Sequence, residues 1–63
     1  MNKGPALAIH LTNGWFIVTF DYGVLDDLYN GEAYVRVDSE GKIYHVNAEN
    51  IVCVKEVPDY VRD

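Results

Sequence analysis

Thiols, imidazoles and cations are all scarce in this 63-residue chain. A single cysteine, Cys53, closes no internal disulfide, which suits a reducing compartment and makes the cytoplasm the expected location. Two histidines, His10 and His45, leave a tetrahedral zinc short of ligands. Five Lys plus Arg stand against ten Asp plus Glu, a formal net charge of -5. A field of that sign repels phosphate backbones, so nucleic acid is not an expected partner. No stretch approaches the ~20 apolar residues of a membrane span, and the start Met1-Asn2-Lys3-Gly4-Pro5-Ala6 lacks the apolar run of a signal peptide, so neither membrane nor export is expected. Nor is there a glycine-rich phosphate loop or a nucleophile and base at a recognisable spacing. The chain is therefore read as non-enzymatic and without a cofactor.

What is present is apolar. Hydrophobic residues make up 49% and aromatic residues 13%, which separates this acidic chain from disordered ones. The length allows one domain, residues 1–63, with the ordered part expected over 6–57 and a C-terminal tail over 58–63. A domain of this size buries only roughly 60% of the surface its unfolded chain exposes, so its core is either rich or completed by a partner.

Two β-rich segments, 6–12 and 15–20, flank Asn13-Gly14, the pair best suited to the positive φ angles of a type I′ hairpin turn. That turn sets Leu11 opposite Phe16, Ile9 opposite Val18 and Leu7 opposite Phe20 on a core face. The other face pairs Thr12 with Trp15, His10 with Ile17 and Ala8 with Thr19. Between residues 21 and 31, Val24, Leu25 and Leu28 have helical spacing, and Asn30-Gly31 supplies a stop. A second hairpin, 32–37 and 42–46, is expected to turn through a three-residue bulged loop with Gly41 left-handed. Val37 then faces Ile43 and Val35 faces His45, with Arg36 opposite Tyr44 and Tyr34 opposite Val46; either side can be core. Asn47-Ala48-Glu49-Asn50 predicts a 3₁₀ turn. A final strand, 51–57, is expected to end at Pro58, which cannot donate to a ladder.

This order predicts an all-β, mainly β domain: five strands, one short helical turn between strands 2 and 3, and a 3₁₀ turn before strand 5. With both faces apolar, such a small sheet tends to curl and remove its edges. Over about residues 6–57 the order resembles the SH3-like and Sm-like small barrels, most of all in Tyr44-His45-Val46-Asn47-Ala48-Glu49-Asn50-Ile51-Val52, which looks like their strand, 3₁₀ turn, strand ending. The same aromatic, apolar, Asn, then Asn-Ile-Val ending is similar to short uncharacterised proteins of phages and prophages of Gram-positive bacteria, for which the bacterial host cytoplasm is the implied setting. The resemblance implies an oligomeric ring or a peptide-binding surface. The Sm-like RNA site is not carried over, because the turn Asn47, Ala48, Glu49 and Asn50 holds no cation. Aromatics beside an acidic loop, here Tyr22, Trp15, Tyr34 and Tyr44 with Asp26 and Asp27, are what an SH3-like groove requires, although their spacing matches no SH3 signature.

The chemistry-bearing side chains favour structural roles. Asp26 and Asp27 are adjacent on a helical turn and point roughly 100° apart, so they form no carboxylate pair. Cys53 lies between Val52 and Val54 without the cation or helix N-terminus that activates a thiolate. His10 and His45 fill sheet faces. The more informative set is Trp15, Ile17, Tyr34 and Tyr44, too much aromatic and apolar surface for one small core and of the kind enriched at interfaces. The leading expectation is a homo-oligomer, a ring or dimer, associating through this patch and its strand edges. The alternatives are an acidic adaptor or inhibitor of one host or phage protein, and an intersubunit pocket in which Arg36, His10 or His45 contacts a small anion.

Overall fold

The computed structural model describes residues 2–62, with side chains from 4 to 60. The chain is mainly β and follows the predicted order of elements: β1 (Asn2–Leu11), β2 (Phe16–Thr19), α1 (Gly23–Tyr29), β3 (Tyr34–Ser39), β4 (Lys42–Asn47), a 3₁₀ turn (Ala48–Asn50) and β5 (Ile51–Arg62). The strands form two antiparallel sheets, β2-β1-β5 and β3-β4, rather than a closed barrel. Among the described residues no helix is long and apolar enough to cross a membrane.

Both hairpin turns differ from expectation, and each difference slips the register by one residue. In the first, Gly14 N–H donates to the Leu11 carbonyl at 3.1 Å and Leu11 N–H to the Trp15 carbonyl at 2.9 Å, closing a three-residue loop. Gly14 has φ 89°, while Asn13 is not in the positive-φ region that a type I′ turn demands of both central residues. The Asn13 side chain explains the choice, since its Oδ1 accepts the Trp15 N–H at 3.0 Å, the local bond by which Asn stabilises such turns. β1 and β2 therefore pair Leu7 with Thr19, Ala8 with Val18, Ile9 with Ile17 and His10 with Phe16. Because side chains alternate, this slip exchanges the faces of β2: Ile17 and Thr19 join Leu7 and Ile9, and Phe16 and Val18 leave the expected core face.

The type I′ turn lies instead in the second hairpin, at Glu40 (φ 54°) and Gly41 (φ 78°). Val37 pairs with Tyr44, Val35 with Val46, Arg36 with His45 and Tyr34 with Asn47. Tyr44 and Arg36 are thus on opposite faces of the sheet, as are Tyr34 and Tyr44, and the expected pairing of Arg36 with Tyr44 does not form. Val35 and Val37, both fully buried, settle which side is core.

The core joins Ile9 of β1, Val24 of α1 and Val35 and Val37 of β3, with Leu11, Ile17, Leu28, Val46, Ala48, Ile51 and Val54 packed around it. Val24 and Leu28 are four residues apart and therefore on one helical face, which turns this short helix onto β3. The Asp21 carboxylate accepts the Gly23 N–H at 2.9 Å where the helix begins. Asn47 does the same for the 3₁₀ turn, accepting the Glu49 N–H at 2.9 Å. β5 does not stop at Pro58, and residues 58–62 are strand rather than tail. Pro58 falls in the register shift between the pairs Gly4–Tyr60 and Ala6–Val57, where Pro5 also lies, so neither proline has to supply a ladder N–H.

Candidate functional site

Two hydroxyl groups bind the sheets to each other. Thr19 Oγ1 donates to the Asp38 carbonyl at 2.6 Å, and Ser39 Oγ donates to the Val18 carbonyl at 2.6 Å. At the far end of the β1–β2 hairpin, Thr12 N–H donates to the Asn50 carbonyl at 2.8 Å. These contacts border an open cleft of about 640 Å³.

Consecutive residues line this cleft from both sides, 15–18 from the β2 side and 44–47 from β4. Successive side chains of a strand point to opposite faces, so a consecutive run means that the strand is met edge-on. β2 is paired only with β1 and β4 only with β3 among the described residues, so each has an edge without a ladder partner there. Trp15, Phe16, Ile17, Phe20 and Tyr44 are among its apolar lining. Such a cleft can hold an extended chain by its backbone and its side chains at once.

An adjoining recess of about 340 Å³ shares Val18, Phe20, Ser39 and Glu40 with the cleft and adds Asp21 and Asp38 to its walls. Asp38 meets this recess through its backbone, its carbonyl accepting the Thr19 hydroxyl, while its side chain lies on the exposed outer face of β3 with Tyr34 and Arg36. No Lys or Arg among the described residues lines either cavity.

The expected site residues divide. Trp15, Ile17 and Tyr44 meet at the cleft. Trp15 is 72% exposed there, whereas Ile17 is half-buried and also packs on the core. Tyr34, 63% exposed, is on the opposite face of the β3–β4 sheet from Tyr44. Arg36 shares that outer face with its cross-strand partner His45, which also borders the cleft from the β4 edge. His10 stacks on Phe16 with ring centroids 5.6 Å apart, in the other sheet from His45. No group of three or more His, Cys, Asp or Glu among the described residues could hold a metal ion. Cys53 is exposed opposite His10 rather than inside the core.

Phe16 and Phe20 are cleft residues that sequence reasoning missed. Both phenylalanines were expected in the core through the type I′ register, and the alternative three-residue loop ending in Gly14 was the signal that would have released them. Elsewhere, Tyr22 Oη donates to Glu56 Oε2 at 2.7 Å. That bond to a carboxylate, then desolvation and the negative charge of Glu56, raises the phenol above its ordinary range. Comparison with protein families, with curated proteins and with solved structures finds no match to this chain.

Proposed function

We propose that this chain is a non-enzymatic interaction module that takes an extended segment of another protein into the cleft between β2 and β4. The observation that carries this reading is the pair of unpartnered strand edges facing one aromatic cleft. Strand addition gives affinity through main-chain hydrogen bonds, and pockets for alternate side chains give selectivity. In this reading the two sheets are parts of an SH3-like or Sm-like barrel, supported by the element order and by the Thr19 and Ser39 bonds between β2 and β3, and the bound segment spans the remaining gap.

Selection of a random peptide library against the folded chain tests it. Binders are expected to lose affinity with Tyr44→Ser and to keep it with Tyr34→Ser, the two tyrosines being on opposite faces of one sheet. Loss with Tyr34→Ser alone contradicts the reading.

A second reading, self-association, is favoured by β5. This strand of twelve residues pairs only with β1 among the described residues, and Val52 on it is 64% exposed. Before its charged residues Lys55 and Glu56 and Pro58, the apolar start of this edge at residues 51–54 can pair with another copy. Light scattering is then expected to give a multiple of 7.1 kDa that falls to 7.1 kDa with Val52→Asp. A small anion is less well served, because the cleft offers it no Lys or Arg.

A further inference from the structure

Of the five asparagines in the chain, Asn13 and Asn30 precede glycine. Asparagine is thermally labile, and a following glycine carries no side chain to shield the backbone nitrogen that attacks it. Both pairs are exposed, and neither Gly14 nor Gly31 has an atom within 4 Å of the space a Cβ would fill. The two nitrogens are held alike: Gly14 N–H donates to the Leu11 carbonyl at 3.1 Å and Gly31 N–H to the Leu28 carbonyl at 3.2 Å. The side chains are not. Asn13 Oδ1 accepts the Trp15 N–H at 3.0 Å, whereas the Asn30 side chain, where α1 ends, has no hydrogen-bond partner among the described residues.

We infer that Asn30 is a site of spontaneous deamidation, and that Asn13, in the wall of the cleft, is protected from it by its bond to Trp15. In this reaction the Gly31 nitrogen attacks Cγ of Asn30, its proton passes to water, and the side-chain nitrogen leaves as ammonia. Water then opens the cyclic imide at either carbonyl, giving aspartate or isoaspartate, and nothing is oxidised or reduced. At Asn13 the same carbon has to turn onto the Gly14 nitrogen, and the bond to Trp15 has to break first.

The product places a carboxylate at the C-terminal end of α1, where the carbonyls already carry partial negative charge and Asp26 and Asp27 stand in the preceding turn. The isoaspartate form also lengthens the backbone between α1 and β3. Because α1 rests on the core through Val24 and Leu28, the modification weakens that attachment. The first hairpin, and with it the wall of the cleft, keeps its geometry.

Incubation of the full chain in mildly alkaline buffer tests this, with fragment-ion mass spectrometry reading the conversion of amide to acid at each asparagine and circular dichroism verifying the folded state. In the folded chain Asn30 is expected to convert about tenfold faster than Asn13, roughly what one further hydrogen bond to break is worth. In the urea-unfolded chain the two rates are expected to converge, because both residues precede glycine. Equal rates in the folded chain overturn the inference, as does faster conversion of Asn13, or conversion at neither while the unfolded chain converts at both. A ratio that survives unfolding also overturns it, because neighbours in the sequence, and not the bond to Trp15, then set the difference.

Discussion

Thr19 and Asp38, nineteen positions apart, hold the two sheets in contact: the buried Thr19 hydroxyl donates to the Asp38 carbonyl at 2.6 Å and accepts the Asp21 N–H at 3.0 Å. One side chain thus joins β2, the start of the α1 segment and β3. Thr19 is 1% exposed, while its partners belong to the exposed residues Asp21 and Asp38, so water takes up part of what the hydroxyl supplies. Thr19→Val is expected to cost about 0.5–1.5 kcal/mol, and Thr19→Ser, which keeps the hydroxyl, distinctly less. Urea unfolding of both variants checks this, and equal loss in the two contradicts the role of the hydroxyl.

The core rests on few side chains, and Ile9 sits between the sheets. Ile9→Val is expected to cost about 0.5–1.5 kcal/mol, and Ile9→Ala about 2–5 kcal/mol, enough to unfold much of a domain this small. Thermal denaturation followed by circular dichroism reads both. A shift of less than a degree for Ile9→Ala contradicts the assigned core.

Glu40 holds φ 54° in the type I′ turn, a conformation that costs a non-glycine residue roughly 1–2 kcal/mol. Asn tolerates it better, and Asn-Gly is the preferred pair for this turn. Glu40→Asn is expected to stabilise the fold by up to about 1 kcal/mol, measured by denaturant midpoint. Destabilisation contradicts the turn assignment. Asn13→Ala in the first hairpin is expected to act in the other sense, because it removes the acceptor of the Trp15 N–H.

The Tyr22–Glu56 bond gives a dependence on alkaline pH. The phenol must stay protonated to donate, and its folded pKa is raised, so the contribution is fully present below the pKa of the unfolded phenol, ~10, and is lost as pH rises through the folded value. Tyr22→Phe is expected to be less stable than the parent at neutral pH and to match it well above pH ~10. A gap that persists unchanged in strong alkali contradicts the bond.

Element order was legible because its signals are local. Asn13-Gly14, Asn30-Gly31 and Gly41 punctuate the chain, and the short apolar runs between them have one plausible secondary structure each. Register was not legible, because it turns on single competitions: which N–H the Asn13 side chain accepts, and whether Glu40 tolerates a left-handed backbone. Each went the other way and moved a strand by one residue. The extension of β5 was hidden for a related reason, since Pro58 ends a regular ladder but not a strand that shifts register at that point.

The cleft depends on these registers and so was only half visible. Trp15, Ile17 and Tyr44 could be singled out as excess apolar surface from composition. That the end of β2 meets the second hairpin beside Phe20 follows from a non-local contact made by Thr19 and Ser39 that carries no pattern in the sequence.

Amide hydrogen exchange by NMR, with and without a saturating peptide selected from the random library, tests strand capture most directly. The account predicts new protection along both edges of the cleft, at residues 15–18 and 44–47, with the outer edge of β5 unchanged. Protection confined to β5, or to the outer face carrying Tyr34 and Arg36, would contradict it.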